Sequence, residues 1–500
     1  MISLSRLYGI AVTLMVVAGT SIALPGQVKT AVPTREQMQQ EIQTISAELT
    51  VTQKQLQDSQ RRVDELQKQL AAIQAQLAPD QDQTQTAATA PAPDSQKNAE
   101  NIEILQAEVK LHDQTKVESA SKYPVQVTGL ILFNSFLVKG GVDNLDLPTL
   151  ATAVTPGSSN VATGASVRQT ILGVQASGPV LFGAKSSGEV NFDFYGGIPY
   201  SNYNTVSGIV RLRTAALRLD WEKNNVELGF VQPLISPLEP TSYAMVAEPA
   251  LAWAGNLWTW APQFSYQHSF GVAQQPHMTF QAGLWDPPTA GYNADQLFRS
   301  ASSSERSGQP AYESRIAFTD PRRGTNGMQV GLGGYYSRQS YTGRAGDSWA
   351  VTADWRLPVS RFFELSGEAY RGRALGGLGG GVYKDIESGT DPVTGSPTFR
   401  LLNAGGGWLQ TKFRFTRVLE ANTAAGLDDG FSRDFHAVVI PAGASGTQLR
   451  ARNRMIMTNM IYSPKTYLIF SPEYRRISTW PIYGSATNAN IFTLSFGLRF

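Results

Sequence analysis

Two hydrophobic rhythms divide this chain. Between Met38 and Leu77 the core-type positions are spaced alternately by four and three residues. They run through Ile42, Ile45, Leu49, Thr52, Leu56, Ser59, Val63, Leu66, Leu70, Ile73 and Leu77. That spacing is the seam of a coiled coil. Beyond Tyr123 the rhythm shortens to two, the period that sorts strand side chains onto opposite faces. The final residues show it most plainly. Phe492, Leu494, Phe496, Leu498 and Phe500 fall on one face, and Thr493, Ser495, Gly497 and Arg499 on the other.

A strand with one wholly apolar face and one polar face suits a transmembrane β-barrel, where the first meets lipid and the second a wet lumen. Sixteen such segments are predicted over 123–500, from 125–138 to 489–500. Their connections alternate in length. Ser177-Gly178-Pro179, Glu222-Lys223-Asn224, Leu357-Pro358-Val359-Ser360 and Ser463-Pro464-Lys465 read as tight turns, whereas 139–165, 233–261, 286–309, 373–405 and 430–447 are long. Short periplasmic turns and long outer loops, with an even strand count, are the habit of outer-membrane barrels. Tyr195, Trp221, Trp285, Tyr462 and Trp480 near strand ends are candidates for the aromatic girdles. Register is ambiguous between Arg211 and Arg218, because Arg211 and Arg213 share one parity and Arg218 has the other. A β-bulge there would reconcile them.

The fold class expected is therefore an all-β transmembrane barrel of about sixteen antiparallel strands with an N-terminal α-helical coiled coil. Arg6, the apolar run Leu7–Val17 and Ser21-Ile22-Ala23 give residues 1–23 the form of a secretory signal peptide. The coiled coil occupies 35–78 and, at about 1.5 Å per residue, would make a rod of about 60 Å. Ile at both core positions (Ile42, Ile45) and Leu70 followed by Ile73 favour three or more strands over two. A homotrimer is expected, with the rod in the periplasm. Pairing of the rod with a different periplasmic protein stays open. Residues 79–101, rich in Pro, Ala, Gln and Thr, read as a flexible linker, and 102–119 as a short amphipathic helix.

Composition narrows the chemistry. There are 42 Lys+Arg against 40 Asp+Glu, a net charge of +2, too mild for a nucleic-acid partner. There is no cysteine, so neither disulfides nor thiolate metal sites can form. The four histidines show no metal-ligand spacing, and His268-Ser269 sit as strand neighbours that point to opposite faces. No cofactor, metal or catalytic set is expected.

Sixteen strands enclose a lumen wide enough for water unless something fills it. The loop 233–261, after the fifth strand, is the candidate filler. It carries Glu239, Tyr243 and Glu248 beside Trp253, Trp258 and Trp260. Whether it folds inward is left open by the sequence. Arg450, Arg452 and Arg454 have one parity and form a candidate cationic ladder, with Lys412, Arg414 and Arg475 nearby. Asp354, Glu364 and Glu368 are candidates for an opposing acidic wall. Ladders of fixed positive charge favour anions in a pore. The Gly376–Gly381 run reads as part of a mobile surface loop.

Taken together, the Met38–Leu77 heptads, the hairpin Gln169 to Tyr195, the long loop after the fifth strand and the terminal Phe500 resemble trimeric bacterial porins. Among these the chain is similar to the DcaP-like porins, which carry a coiled coil before a sixteen-stranded barrel. The resemblance implies an outer-membrane protein, surrounded by lipid, that passes small hydrophilic solutes by passive diffusion, with organic anions a candidate class. The alternative is a non-conducting barrel that acts as an envelope anchor or adhesin through its rod.

Overall fold

The computed structural model of the protein describes residues 123–197, 208–289 and 300–500, apart from 325, 342, 442 and 445. The expected signal peptide, coiled coil, linker and short amphipathic helix lie outside the described residues. The rest forms a closed antiparallel barrel. Its strands are β1 (Val125–Lys139), β2 (Val161–Ser166, continued by Ile171–Leu181), β3 (Ala184–Asp193), β4 (Arg211–Asp220), β5 (Asn224–Val231), β6 (Ala261–Phe270), β7 (His277–Trp285) and β8 (Ala311–Asp320). They continue with β9 (Met328–Tyr341), β10 (Arg344–Pro358), β11 (Phe363–Arg373), β12 (Asn403–Arg414), β13 (Leu419–Gly430), β14 (Arg450–Tyr462), β15 (Leu468–Pro481) and β16 (Thr487–Arg499).

Each strand pairs with its neighbours in sequence, and β16 closes on β1, from Leu130↔Arg499 to Lys139↔Asn490. The terminal residue locks the seam: the Gly129 amide donates to the Phe500 carbonyl at 2.9 Å, and the Phe500 amide returns the bond at 3.1 Å. Both pieces of β2 pair with β1, so they count as one interrupted strand and the barrel has sixteen. The faces of β16 divide as the alternation predicts. Phe492, Leu494, Phe496, Leu498 and Phe500 are exposed on the outside, while Thr493 and Ser495 are buried inside.

The sequence places the strands well and some of their details less well. The bulge expected near Arg211–Arg218 is present. Asn191 pairs with Thr214 and Phe192 with Leu212, leaving Arg213 as the extra residue. Arg211, Arg213 and Arg218 thereby all face inward. The hairpin between β2 and β3 turns at Phe182-Gly183, both with positive φ, and not at Ser177-Gly178-Pro179. The latter is a bulge between Ser177 and Val180, because proline lacks the amide that an unbroken ladder needs. Of the girdle candidates, Trp285 is buried inside and Tyr195 lies against inward-pointing arginines.

The glycine run is corrected too. Gly376–Leu378 and Gly380–Tyr383 form two short turns with Leu378 and Val382 buried. The Asp428 carboxyl on β13 accepts the Gly381 and Val382 amides at 3.1 and 3.0 Å. This loop is tied inside the barrel mouth.

Candidate permeation site

The segment between β5 and β6 turns into the barrel and follows its inner wall. Polar groups on seven strands hold it. The Leu234 amide donates to Glu313 on β8 at 2.8 Å, and Thr352 on β10 donates to the Ile235 carbonyl at 2.7 Å. The Ser236 hydroxyl and the Leu238 amide both reach the Glu368 carboxyl on β11, at 2.5 and 2.7 Å. Gln410 on β12 and Asn459 on β14 take the amide and carbonyl of Thr241, at 2.7 and 2.8 Å. Ser242 donates to Glu473 on β15 at 2.6 Å. Gln169, in the break of β2, then accepts the Val246 amide at 2.7 Å and donates to the Ala244 carbonyl at 3.0 Å. A buried backbone needs such partners at every step. The result is a collar that runs from β8 round to β2.

Packing explains why the collar hugs one side. Leu238, Met245, Ala247, Ala250, Leu251 and Ala254 of the loop are buried against Trp408, Ala424, Met455, Met457, Ile477 and Ile491 of the wall. Two glycines permit the close approach. A Cβ at Gly426 would strike the Ala254 carbonyl, and one at Gly255, whose φ is +99°, would strike the backbone of Gly407. Between those polar anchors the inner wall of β12–β16 is apolar where the loop packs on it, because it meets protein there and not water.

Over β3 and β4 the inner wall is charged. Asp193 receives Arg211 at 2.6 Å and Arg213 at 3.0 Å. The same guanidiniums donate to the loop carbonyls of Ala247 and Val246 at 2.7 and 2.8 Å. Both sit over the Trp260 ring, at 5.1 and 4.7 Å from its centre. Arg168, paired with Asp146 at 3.1 Å, covers Tyr195 at 4.2 Å. Further along, Arg218 bridges Glu189, at 2.8 Å, and Glu227. Two guanidiniums thus share the Asp193 carboxylate, with Glu248 near Arg211 and Glu239 near Arg213 as further acidic neighbours. The sequence reading noted these arginines only as a register problem. Their inward parity with Asp193 on the neighbouring strand was the available signal.

The predicted site residues do not assemble as expected. Arg452 and Arg454 are exposed on the outside of β14, on the face of Ile456 and Met460, while Asn453, Met455 and Met457 fill the inside. A register shift between Arg450 and Arg452 separates Arg450 from the other two. Arg450 turns inward over the Trp253 ring at 5.7 Å. There is thus no ladder of three. Lys412 and Arg414 point inward but meet Glu420 at 3.3 Å and Glu364 at 2.9 Å. Arg475 is fully buried against Glu473 at 3.1 Å. Asp354 is buried against Arg315 at 2.7 Å, and Glu368 holds the loop, so neither forms a free acidic wall.

The loop's own candidates do reach the interior. Glu239 is exposed there and accepts a bond from Gln232. Tyr243 accepts one from Arg499. Glu248 is half-buried near Arg211 and Asp143, and burial pushes its carboxyl up to about 7 despite the pull of Arg211. Among the described residues no group of His, Cys, Asp and Glu stands together as metal ligands would.

The fold is that of a sixteen-stranded outer-membrane channel barrel. The sequence matches no family model and no curated protein, so this rests on likeness of structure. The chain is similar to the outer membrane channel DcaP of Acinetobacter baumannii, with a TM-score of 0.58 and 14% identity over 76% of this chain and 99% of that one. Weaker likenesses are an anion-selective porin from Comamonas acidovorans (TM-score 0.46, 11% identity, 76% and 100% covered) and Salmonella typhi OmpF in complex with daunomycin (0.43, 12%, 76% and 98%).

Proposed function

We propose that this protein is an outer-membrane porin, assembled as a homotrimer, through which small hydrophilic solutes diffuse passively. The observation that carries the reading is the inward loop. It is bonded to the wall strand by strand and leaves β3 and β4 charged toward the interior, an arrangement suited to narrowing a wet passage. The likeness to DcaP, itself a channel, supports it. Small organic anions are the favoured solutes, because Arg211 and Arg213 bring two guanidiniums together on the inner wall beside the loop, whereas Lys412, Arg414 and Arg475 are each held by a carboxylate of the wall. A coiled coil at 35–78, expected in the periplasm, would reinforce the trimer.

Planar-bilayer recording of the full mature chain tests this. Well-defined conductance steps in threes are expected, with a reversal potential in a salt gradient on the anion-selective side. Replacing Arg211 and Arg213 by Ala should move that potential toward cation selectivity. An unmoved potential removes the anion preference. Folded protein that never conducts removes the porin reading and favours the envelope anchor.

A further inference from the structure

The arginines that the interior does not use form a site of their own on the outside. Lys139 on β1 pairs across to Asn490 on β16, Asn490 to Arg476 on β15, and Arg476 to Ile456 on β14. This outward row lies toward the ends of the strands that carry the long loops. Arg454 and Arg452 follow on the same face, at 5.5 and 5.9 Å from the Trp480 ring. Asp429 pairs with Arg452 at 2.6 Å. Lys139, Arg454 and Arg476 are exposed and have no acidic partner among the described residues. Four cations face one carboxylate, on a surface whose neighbours are apolar.

Directly beneath this row the outer wall is hollowed. Thr163, Leu137, Phe492, Tyr474 and Thr458 form the next outward row, strand by strand from β2 to β14. With Ser135, Leu494 and Pro472 below them they line a groove of about 930 Å³. Small side chains at Ser135, Thr163 and Thr458 make the hollow, and Phe492, Leu494 and Met460 make it apolar. A cationic rim above an apolar groove has the polarity of an anionic lipid, headgroup up and chain down.

We infer that this face binds a phosphate-bearing lipid of the outer leaflet, with its phosphate on Arg454, Arg476 and Lys139 and an acyl chain in the groove below. Guanidiniums favour phosphate because their donors match its oxygens two at a time. A protein partner would have to bring unpaired carboxylates to a membrane-facing surface, which is the costlier arrangement. The inference takes from the porin reading only the orientation of the barrel, and it does not depend on conduction.

Native mass spectrometry of the full mature chain in detergent tests it, with diphosphorylated lipid A and its dephosphorylated counterpart as probes. The phosphorylated lipid should be retained preferentially. The double variant Arg454→Ser, Arg476→Ser should lower that preference by roughly tenfold or more, the worth of losing charge-assisted contacts. A second variant, Thr458→Trp, fills the groove and should weaken both lipids while the barrel stays folded. Equal retention of the two lipids overturns the inference. So does a double variant that keeps the preference, or one that dissociates the oligomer without changing lipid binding.

Discussion

Strands β4 and β14 are built from the same alternation, yet they place their arginines on opposite faces. On β4 the charged residues Arg211, Arg213 and Arg218 point inward and Leu212 and Leu217 point outward. On β14 the inward residues include Met455 and Met457, and the outward ones include Arg452 and Arg454. The difference is what stands behind each wall. The loop between β5 and β6 covers β14 and excludes water, so thioethers fill the inside. Toward β4 the loop presents carbonyls, which arginines can satisfy. Which face of a barrel strand is polar thus depends on the cover of the lumen as well as on lipid.

The strongest way to break this comparison is to set a carboxyl covered by the loop against one on the open wall. Glu368→Ala removes the partner of Ser236 and Leu238 beneath the loop and leaves both groups buried. It should cost about 3 kcal/mol of stability, read by urea unfolding in detergent, and should raise the open-channel conductance as the loop loosens. Glu189→Ala leaves Arg218 with Glu227 in a solvated setting and should cost less than about 1 kcal/mol. Equal losses at the two positions would erase the distinction between covered and open wall.

A smaller effect sharpens it at the junction of the two walls. The folded-state carboxyl of Glu248 titrates near 7, above its ordinary value of 4.5. Because the raised value means the native loop holds the proton more tightly, loop seating is firm below the unfolded value and weakens as pH rises from about 4.5 through about 7. Hydrogen exchange of the loop amides should quicken across that window. Glu248→Gln should flatten the dependence; a profile unchanged by the substitution would rule out Glu248 as its source.

The strands were legible because each one carries its own period. The terminal alternation into Phe500 and the parity conflict around Arg213 both led to the observed geometry. Face assignment failed where the cause was remote. Nothing within Arg450–Tyr462 reveals that a loop some two hundred positions earlier lies across its inner side, so the arginine ladder looked luminal. The Gly376–Gly381 run misled for a similar reason. Its glycines serve tight turns against Asp428, a partner on another strand, and not mobility. Trp253, Trp258 and Trp260 were the better clue, since aromatic rings on an outer loop favour a sheltered place.

The chain has no cysteine, so a single introduced thiol reports its own surroundings. The decisive measurement is single-channel current during exposure to a charged, water-soluble thiol reagent, with Thr214→Cys on the open inner wall and Ile456→Cys on the lipid side. Stepwise loss of current at position 214, with none at 456, is the predicted result. Block at 456 without block at 214, or a folded barrel that carries no current at all, would contradict a water-filled interior narrowed by the loop.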